Sequence, residues 1–116
     1  VSEHFHEAAG ISIEMEYWTA AGVLIVHSAI ALSDALCIRF SGLRSVSVDH
    51  DDAIGLLEEA VQDGEEKRKA LNHLRRILEE KTRVSYLGIL YKPREVHAMW
   101  RHLHRFREWA VRVLDA

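Results

Sequence analysis

Residues 18–40 hold the feature that most restricts the fold. Ala20, Ala21, Val23, Leu24, Ile25, Val26, Ile30, Ala31, Leu32, Ala35, Leu36 and Ile38 fall there. At ~100° per residue these positions nearly encircle a helix. A helix apolar on most sides must be packed by several neighbours. Its small residues Ala20, Ala21, Gly22, Ala29 and Ala31 let other helices come close. The stretch is long enough to suggest a membrane span. His27, Ser28, Ser33 and Asp34 interrupt it, however, and no basic flank precedes it. The reading is a central helix in a soluble, cytoplasmic bundle, with no membrane partner.

The rest of the chain supplies the covering helices. Phe5, Ala8, Ala9, Ile13 and Tyr17 keep a helical spacing over residues 3–17, weakened by Gly10. Gly42 stands where a left-handed terminating residue is expected after the central helix, and residues 43–48 read as a loop. Ser47 or Asp49 can cap a third helix, with Asp51 and Asp52 in its first turn. That helix carries Ala53, Ile54, Leu57, Ala60 and Val61 on one face and ends near Gly64.

A fourth helix is expected over residues 65–90, with Leu71, Leu74, Leu78, Ser85 and Ile89 as its stripe. Pro93 suits the first turn of a fifth, because its missing N–H is one that a helix start leaves unbonded anyway. Val96, Met99, Trp100, Leu103, Phe106, Ala110, Val113 and Leu114 then follow one side through residue 114. Short connections between long helices favour antiparallel neighbours. Residues 1–116 therefore read as one all-α domain, an up-and-down bundle of about five helices.

Charge divides the chain. Residues 1–60 carry ten acids against two arginines, a balance of −8, and residues 61–116 carry eight acids against thirteen Lys or Arg, a balance of +5. Such asymmetry fits acidic and basic helices facing one another, in the bundle or across a dimer. It also fits a basic face for phosphate. The lone cysteine, Cys37, lies in an apolar run and reads as a small core residue.

Known chemical motifs are few. The eight histidines include His4 with His6 and His102 with His104, but residues two apart on a helix diverge, and no two histidines are four apart. No metal site and no cofactor are expected, and no glycine-rich phosphate loop is present. His27, inside the apolar helix, reads as a buried, hydrogen-bonded core histidine in a polar network with Asp34. Lys92, Arg94, Arg101, Arg105, Arg107 and Arg112, interleaved with Tyr91, Trp100 and Trp109, form the only basic, aromatic stretch. Arginine holds phosphate bidentately. Trp109 reads as lying off the core stripe beside Arg105 and Arg112, which makes Trp109 and Arg112 candidates for an interface.

Four stretches together resemble a HEPN domain (higher eukaryotes and prokaryotes nucleotide-binding). They are residues 18–36 with His27 and the run Asp34, Ala35, Leu36; Ser47 to His50 followed by Ala53; residues 77–86 with Lys81 and Tyr86; and Arg105, Phe106 and Trp109 in the closing helix. The resemblance implies a five-helix bundle, often a homodimer, in nucleic-acid metabolism, toxin–antitoxin modules or defence. Many HEPN proteins are metal-independent ribonucleases with four to six residues between an arginine and a histidine, a motif that acts across the dimer. Others are binding modules beside a minimal nucleotidyltransferase. Arg68 with His73 and Arg44 with His50 meet the spacing, though neither lies in the late helices, and Arg83 has no histidine within reach.

The expectation is therefore a non-catalytic module. It would bind RNA, nucleotide phosphate or a nucleotidyltransferase-type partner through Lys81, Arg83, Tyr86, Lys92, Arg94, Arg101 and Arg105. A metal-independent ribonuclease and a purely structural dimer are the alternatives.

Overall fold

A computed structural model describes residues 2–41, 50–61, 64–87 and 91–115, and of 41, 50–53, 60 and 82–87 the backbone alone. Five helices make up these residues and no strand occurs among them: α1 (Ser2–Glu14), α2 (Trp18–Ser41), α3 (His50–Ala60), α4 (Glu65–Leu87) and α5 (Pro93–Asp115). The chain is an all-α helical bundle. The expected caps Ser47 and Asp49, the terminator Gly42 and the candidate Arg44 lie outside the described residues.

α2 packs against each of the other four helices. Ala21, Ile25, Ala29, Leu36 and Cys37 are fully enclosed on it. Burial raises the Cys37 thiol above its ordinary pKa, and the neighbouring Asp34 charge adds to this. At ~1.5 Å per residue, the 24 residues of α2 account for the 38 Å long dimension of the molecule. Trp18–Phe40 has the length and apolarity to cross a membrane, yet 56% of its most apolar window is buried in the bundle. Val23 and Ile38 mark the side left uncovered.

Side-chain pairs fix the helix directions. Ser2 meets Ser28 and Phe5 stacks on His27, so α1 runs against α2. Glu66 pairs with Arg112 and His73 with His102, so α4 runs against α5. Here one expectation fails. His27 is exposed, with its ring 5.5 Å from that of Phe5. The buried polar position on α2 is its neighbour Ser28, about 100° further round the helix. The Ser2 hydroxyl donates to the Ser28 carbonyl at 3.0 Å, and the Ser28 hydroxyl donates to the Ser2 carbonyl at 3.2 Å.

Local chemistry sets the ends. α1 stops three residues short of the expected Tyr17. The Tyr17 N–H donates to the Ser12 carbonyl at 2.8 Å and the Glu16 N–H to the Ile13 carbonyl at 3.0 Å. This double closure needs a left-handed residue between helix and turn, and Glu16 fills it at φ 59°. α5 begins with Pro93, and the Glu95 carboxylate accepts from the Lys92 N–H at 3.0 Å, which caps the first turn. The end of α3 is closed from outside. Lys67 of α4 is 7% exposed, and its ammonium donates to the Glu58 carbonyl at 2.8 Å and the Val61 carbonyl at 3.3 Å. A cation there satisfies helix-end carbonyls and opposes the helix dipole.

Trp109 also departs from expectation. It is 5% exposed, a member of the core rather than a surface anchor. Seven residues after His102, it shares the direction that His102 takes toward α4. The core stripe of α5 is wide enough to include it, and its ring packs 6.2 Å from that of Phe106.

Gly22 is where α2 admits the α4–α5 connection. A β-carbon there would lie under 3.0 Å from the ring of Tyr91. Tyr91 is buried, and its hydroxyl donates to the Glu80 carbonyl at 2.9 Å, so the ring cannot withdraw without losing that bond. Gly22→Ala should therefore destabilise the protein by about 1–3 kcal/mol despite the better helix propensity of alanine. Urea denaturation measures it; an unchanged or raised midpoint would show that Tyr91 does not lie against Gly22.

Candidate functional site

α5 sorts its polar residues by direction. Positions 94, 101, 105 and 112 return to within about 40° of one another at ~100° per residue. All four are arginines, and all four are exposed. His102 projects to one flank of this row and His104 to the other, about 200° apart. The divergence that prevents these two from sharing a ligand lets each meet a histidine of a different helix.

On the α4 flank, His73 Nδ1 lies 2.8 Å from His102 Nδ1. Such a bond requires one protonated and one bare nitrogen, so the neutral pair holds one Nδ1–H between the rings. Neither Nε2 has a hydrogen-bond partner among the described residues. Burial lowers both imidazoles below the ordinary value. Arg105 adds to this at His73, and His73, Arg76 and Arg101 add to it at His102. No carboxylate contributes to either shift. Arg76, Arg94, Arg101 and Arg105 have no carboxylate within 4.0 Å among the described residues, whereas Arg112 sits 3.7 Å from Glu66 and Arg75 3.7 Å from Glu58. Among the described residues, this flank gathers the guanidinium groups of Arg76, Arg101 and Arg105, without carboxylate partners, around two imidazoles.

On the α1 flank, His6 Nε2 lies 3.1 Å from His104 Nε2. The His6 ring stacks on Trp100 at 5.0 Å, and Trp100 meets His104 edge-on at 4.4 Å. Three residues before His6, Glu3 pairs with Arg107, three residues after His104. That guanidinium holds the Glu3 carboxyl below the usual carboxylate range. Burial lowers His6 and His104, Arg107 lowers both further, and Glu3, Glu7 and Glu108 oppose it. No α-carbon of α1 comes within 8 Å of one in α5 among the described residues. Long side chains alone bridge this seam, and the edge of the Trp100 ring lies beside Gly10.

The residues singled out from the sequence divide accordingly. His73, Arg101 and Arg105 come together, and Arg94 lies on the same row. Arg68 does not join His73. Five residues apart on one straight helix they point about 140° from each other, and His73 turns instead to His102. Lys92 is exposed at the start of α5 and Lys81 is half-buried on α4. The side chains of His50, Arg83 and Tyr86, and all of Arg44, lie outside the described residues. Sequence reasoning missed His102, Arg76, the His6–His104 pair and the capping Lys67. The histidine search considered spacing within one helix, and these pairs form between helices. No group of three or more His, Cys, Asp or Glu side chains forms a ready metal site among the described residues.

Four imidazoles lowered by burial make a pH prediction. Below the ordinary pKa the unfolded chain takes up protons that the folded chain resists, so stability rises with pH through that window. Stability should fall as pH drops from about 7 to about 5 and level off once the lowered folded-state pKa values are passed. Urea midpoints across this range check it. The slope should flatten in a variant carrying His73→Gln, His102→Gln, His6→Gln and His104→Gln, and an equal slope in that variant would contradict it.

Comparison with protein-family models, curated proteins and solved structures finds no match to this chain.

Proposed function

We propose that this chain is a HEPN-type helical module that binds the phosphates of single-stranded RNA on its α4–α5 face, without cleaving them. The observation that carries the reading is the set of Arg76, Arg101 and Arg105 around the His73–His102 pair, without carboxylate partners among the described residues, with Arg94 further along the same row. Guanidinium groups match phosphate oxygens in geometry and charge. One proton taken up by the pair turns the remaining bare nitrogen into a donor, so the pair would grip an anion more firmly as pH falls.

The ribonuclease alternative needs two proton-transfer groups on opposite sides of a phosphorus atom. At 2.8 Å, His73 and His102 face each other and share a proton. No phosphate fits between them, and this favours binding over cleavage. In the cell the module would act in the cytoplasm, in a toxin–antitoxin or defence setting, as a homodimer or beside a nucleotidyltransferase-type protein. The exposed apolar side chains Ile11, Met15 and Tyr17 at the α1–α2 corner offer surface for such a contact.

Fluorescence anisotropy with a labelled single-stranded RNA tests the reading. Binding should weaken linearly in log salt with a slope of about −0.7 per phosphate neutralised. Joint replacement Arg76→Gln, Arg101→Gln and Arg105→Gln should weaken it at least about tenfold and flatten that slope. Arg112→Gln, already neutralised by Glu66, should change little, and the RNA should remain full length with or without EDTA. Undiminished binding by the triple variant would refute the assignment, and cleavage abolished by His73→Ala would establish the ribonuclease.

A further inference from the structure

The most apolar helix of the bundle keeps one side open. Ala20, Val23, His27, Ala31, Ala35 and Ile38 lie on α2 within an arc of about 120° at ~100° per residue. Ala31 is half-buried and the other five are exposed, Val23 at 36% and Ile38 at 47%. Met15 and Tyr17, also exposed, stand in the turn that leads into α2. Four of the six large apolar side chains exposed among the described residues are thus on α2 or at its entrance. An apolar face of this extent on the helix that organises the core calls for a cover.

We propose that the cover is a second copy of this chain, with the two α2 helices antiparallel about a two-fold axis at the level of Ala29. In that register Ala20 stands level with the partner's Ile38, Val23 with the partner's Ala35 and His27 with the partner's Ala31. Every layer sets a larger side chain against an alanine, so the helices can approach closely without a clash. A parallel pair would instead put His27 on His27 and Ile38 on Ile38, and leave a gap at Ala20. Charge agrees with the antiparallel register. Arg39 is exposed and is the only arginine or lysine of α1 and α2. It stands level with the partner's Thr19, just past the exposed acids Glu14 and Glu16 that precede α2. His27 comes within about 4.5 Å, along the axis, of the partner's Asp34. Opposite charges therefore meet at both ends and near the centre of the face.

The area is sufficient. From Ala20 to Ile38 the strip is about 27 Å long, and α1 runs beside it for about 20 Å, with Phe5 stacked on His27. At about 10 Å of width for each helix, the footprint is on the order of 500 Å² per copy and about 1,000 Å² for the pair. That meets the lower bound for a specific interface and suits a dimer in exchange with its monomer. The proposal makes the homodimer of the preceding reading specific and rests on it in that respect alone. None of the residues involved belongs to the arginine set of the α4–α5 face.

Sedimentation equilibrium and cysteine cross-linking of the whole chain test the proposal. The wild-type protein should dimerise at micromolar concentration. Val23→Glu and Ala31→Glu should each weaken the dimer at least about tenfold, because each would bury an unpaired charge, while circular dichroism shows the helices intact. Arg39→Glu and Glu16→Lys should each weaken it, and the two together should restore it. Ala20→Cys and Ile38→Cys in one chain lie about 27 Å apart and cannot bridge within it. Oxidation should therefore link that double variant into a covalent dimer and leave each single variant unlinked. Joint Arg76→Gln, Arg101→Gln and Arg105→Gln should leave dimerisation unchanged, which separates this face from RNA binding. The proposal is overturned by a chain that stays monomeric at high micromolar concentration. If that monomer sediments with lipid vesicles, the face belongs to a membrane surface. Cross-linking of the single variants as readily as the double, or a dimer indifferent to Val23→Glu and Ala31→Glu, would overturn it as well.

Discussion

α2 is apolar around nearly its whole circumference, and water cannot be left on more than a strip of it. At roughly 25 cal/mol per Å² of apolar surface, covering such a helix is the dominant source of stability available to a 116-residue chain. Four amphipathic helices do the covering, and their positions follow from that need. The small residues of α2 decide how close each can come. At Gly22 the approach is so tight that the ring of Tyr91 occupies the place of a side chain. Tyr91, just ahead of α5, is thereby held between α2 and the Glu80 carbonyl of α4.

α5 is where packing becomes chemistry. Val96, Met99, Leu103, Phe106, Trp109 and Ala110 hold it to the core. The opposite direction is a row of arginines, and the two flanks carry His102 and His104. A helix that contacts different neighbours on its two flanks can build two unlike polar seams from residues two apart. One seam concentrates positive charge and the other brings in carboxylates from α1. The charge imbalance between the halves of the chain is partly consumed by cross-helix pairs such as Glu3 with Arg107 and Glu58 with Arg75. Arg76, Arg94, Arg101 and Arg105 have no such partner among the described residues, and the proposed phosphate binding rests on them.

The helices were readable because each imposes its period on a long stretch of sequence. The ends that failed did so for local reasons. Glu16 adopts a left-handed conformation that usually signals glycine, so the stop before Tyr17 carried no composition cue. The exposure of His27 and the burial of Ser28 differ by one step around α2, and a helix apolar on nearly all sides gives no phase to choose between them. Trp109 was misplaced because a stripe drawn from the most regular positions was too narrow for a helix with a neighbour on each flank. The site was legible only in part. Arg101 and Arg105 stood out by type, and His73 by its spacing from Arg68. Its real partner, His102, is 29 residues away, and no spacing within one helix encodes a meeting between two. Lys67 looked like one more surface lysine, because only the end of α3 gives it a purpose.

The central claim is that an anion settles at the His73–His102 pair and not at its counterpart. Histidine-selective nuclear magnetic resonance reads this directly, because each imidazole reports its own environment and protonation. On addition of single-stranded RNA near neutral pH, the His73 and His102 resonances should shift and their pKa values should rise, since a bound phosphate favours the protonated ring. His6 and His104 should stay where they were. Shifts confined to His6 and His104, or RNA bound with all four unmoved, would contradict the account.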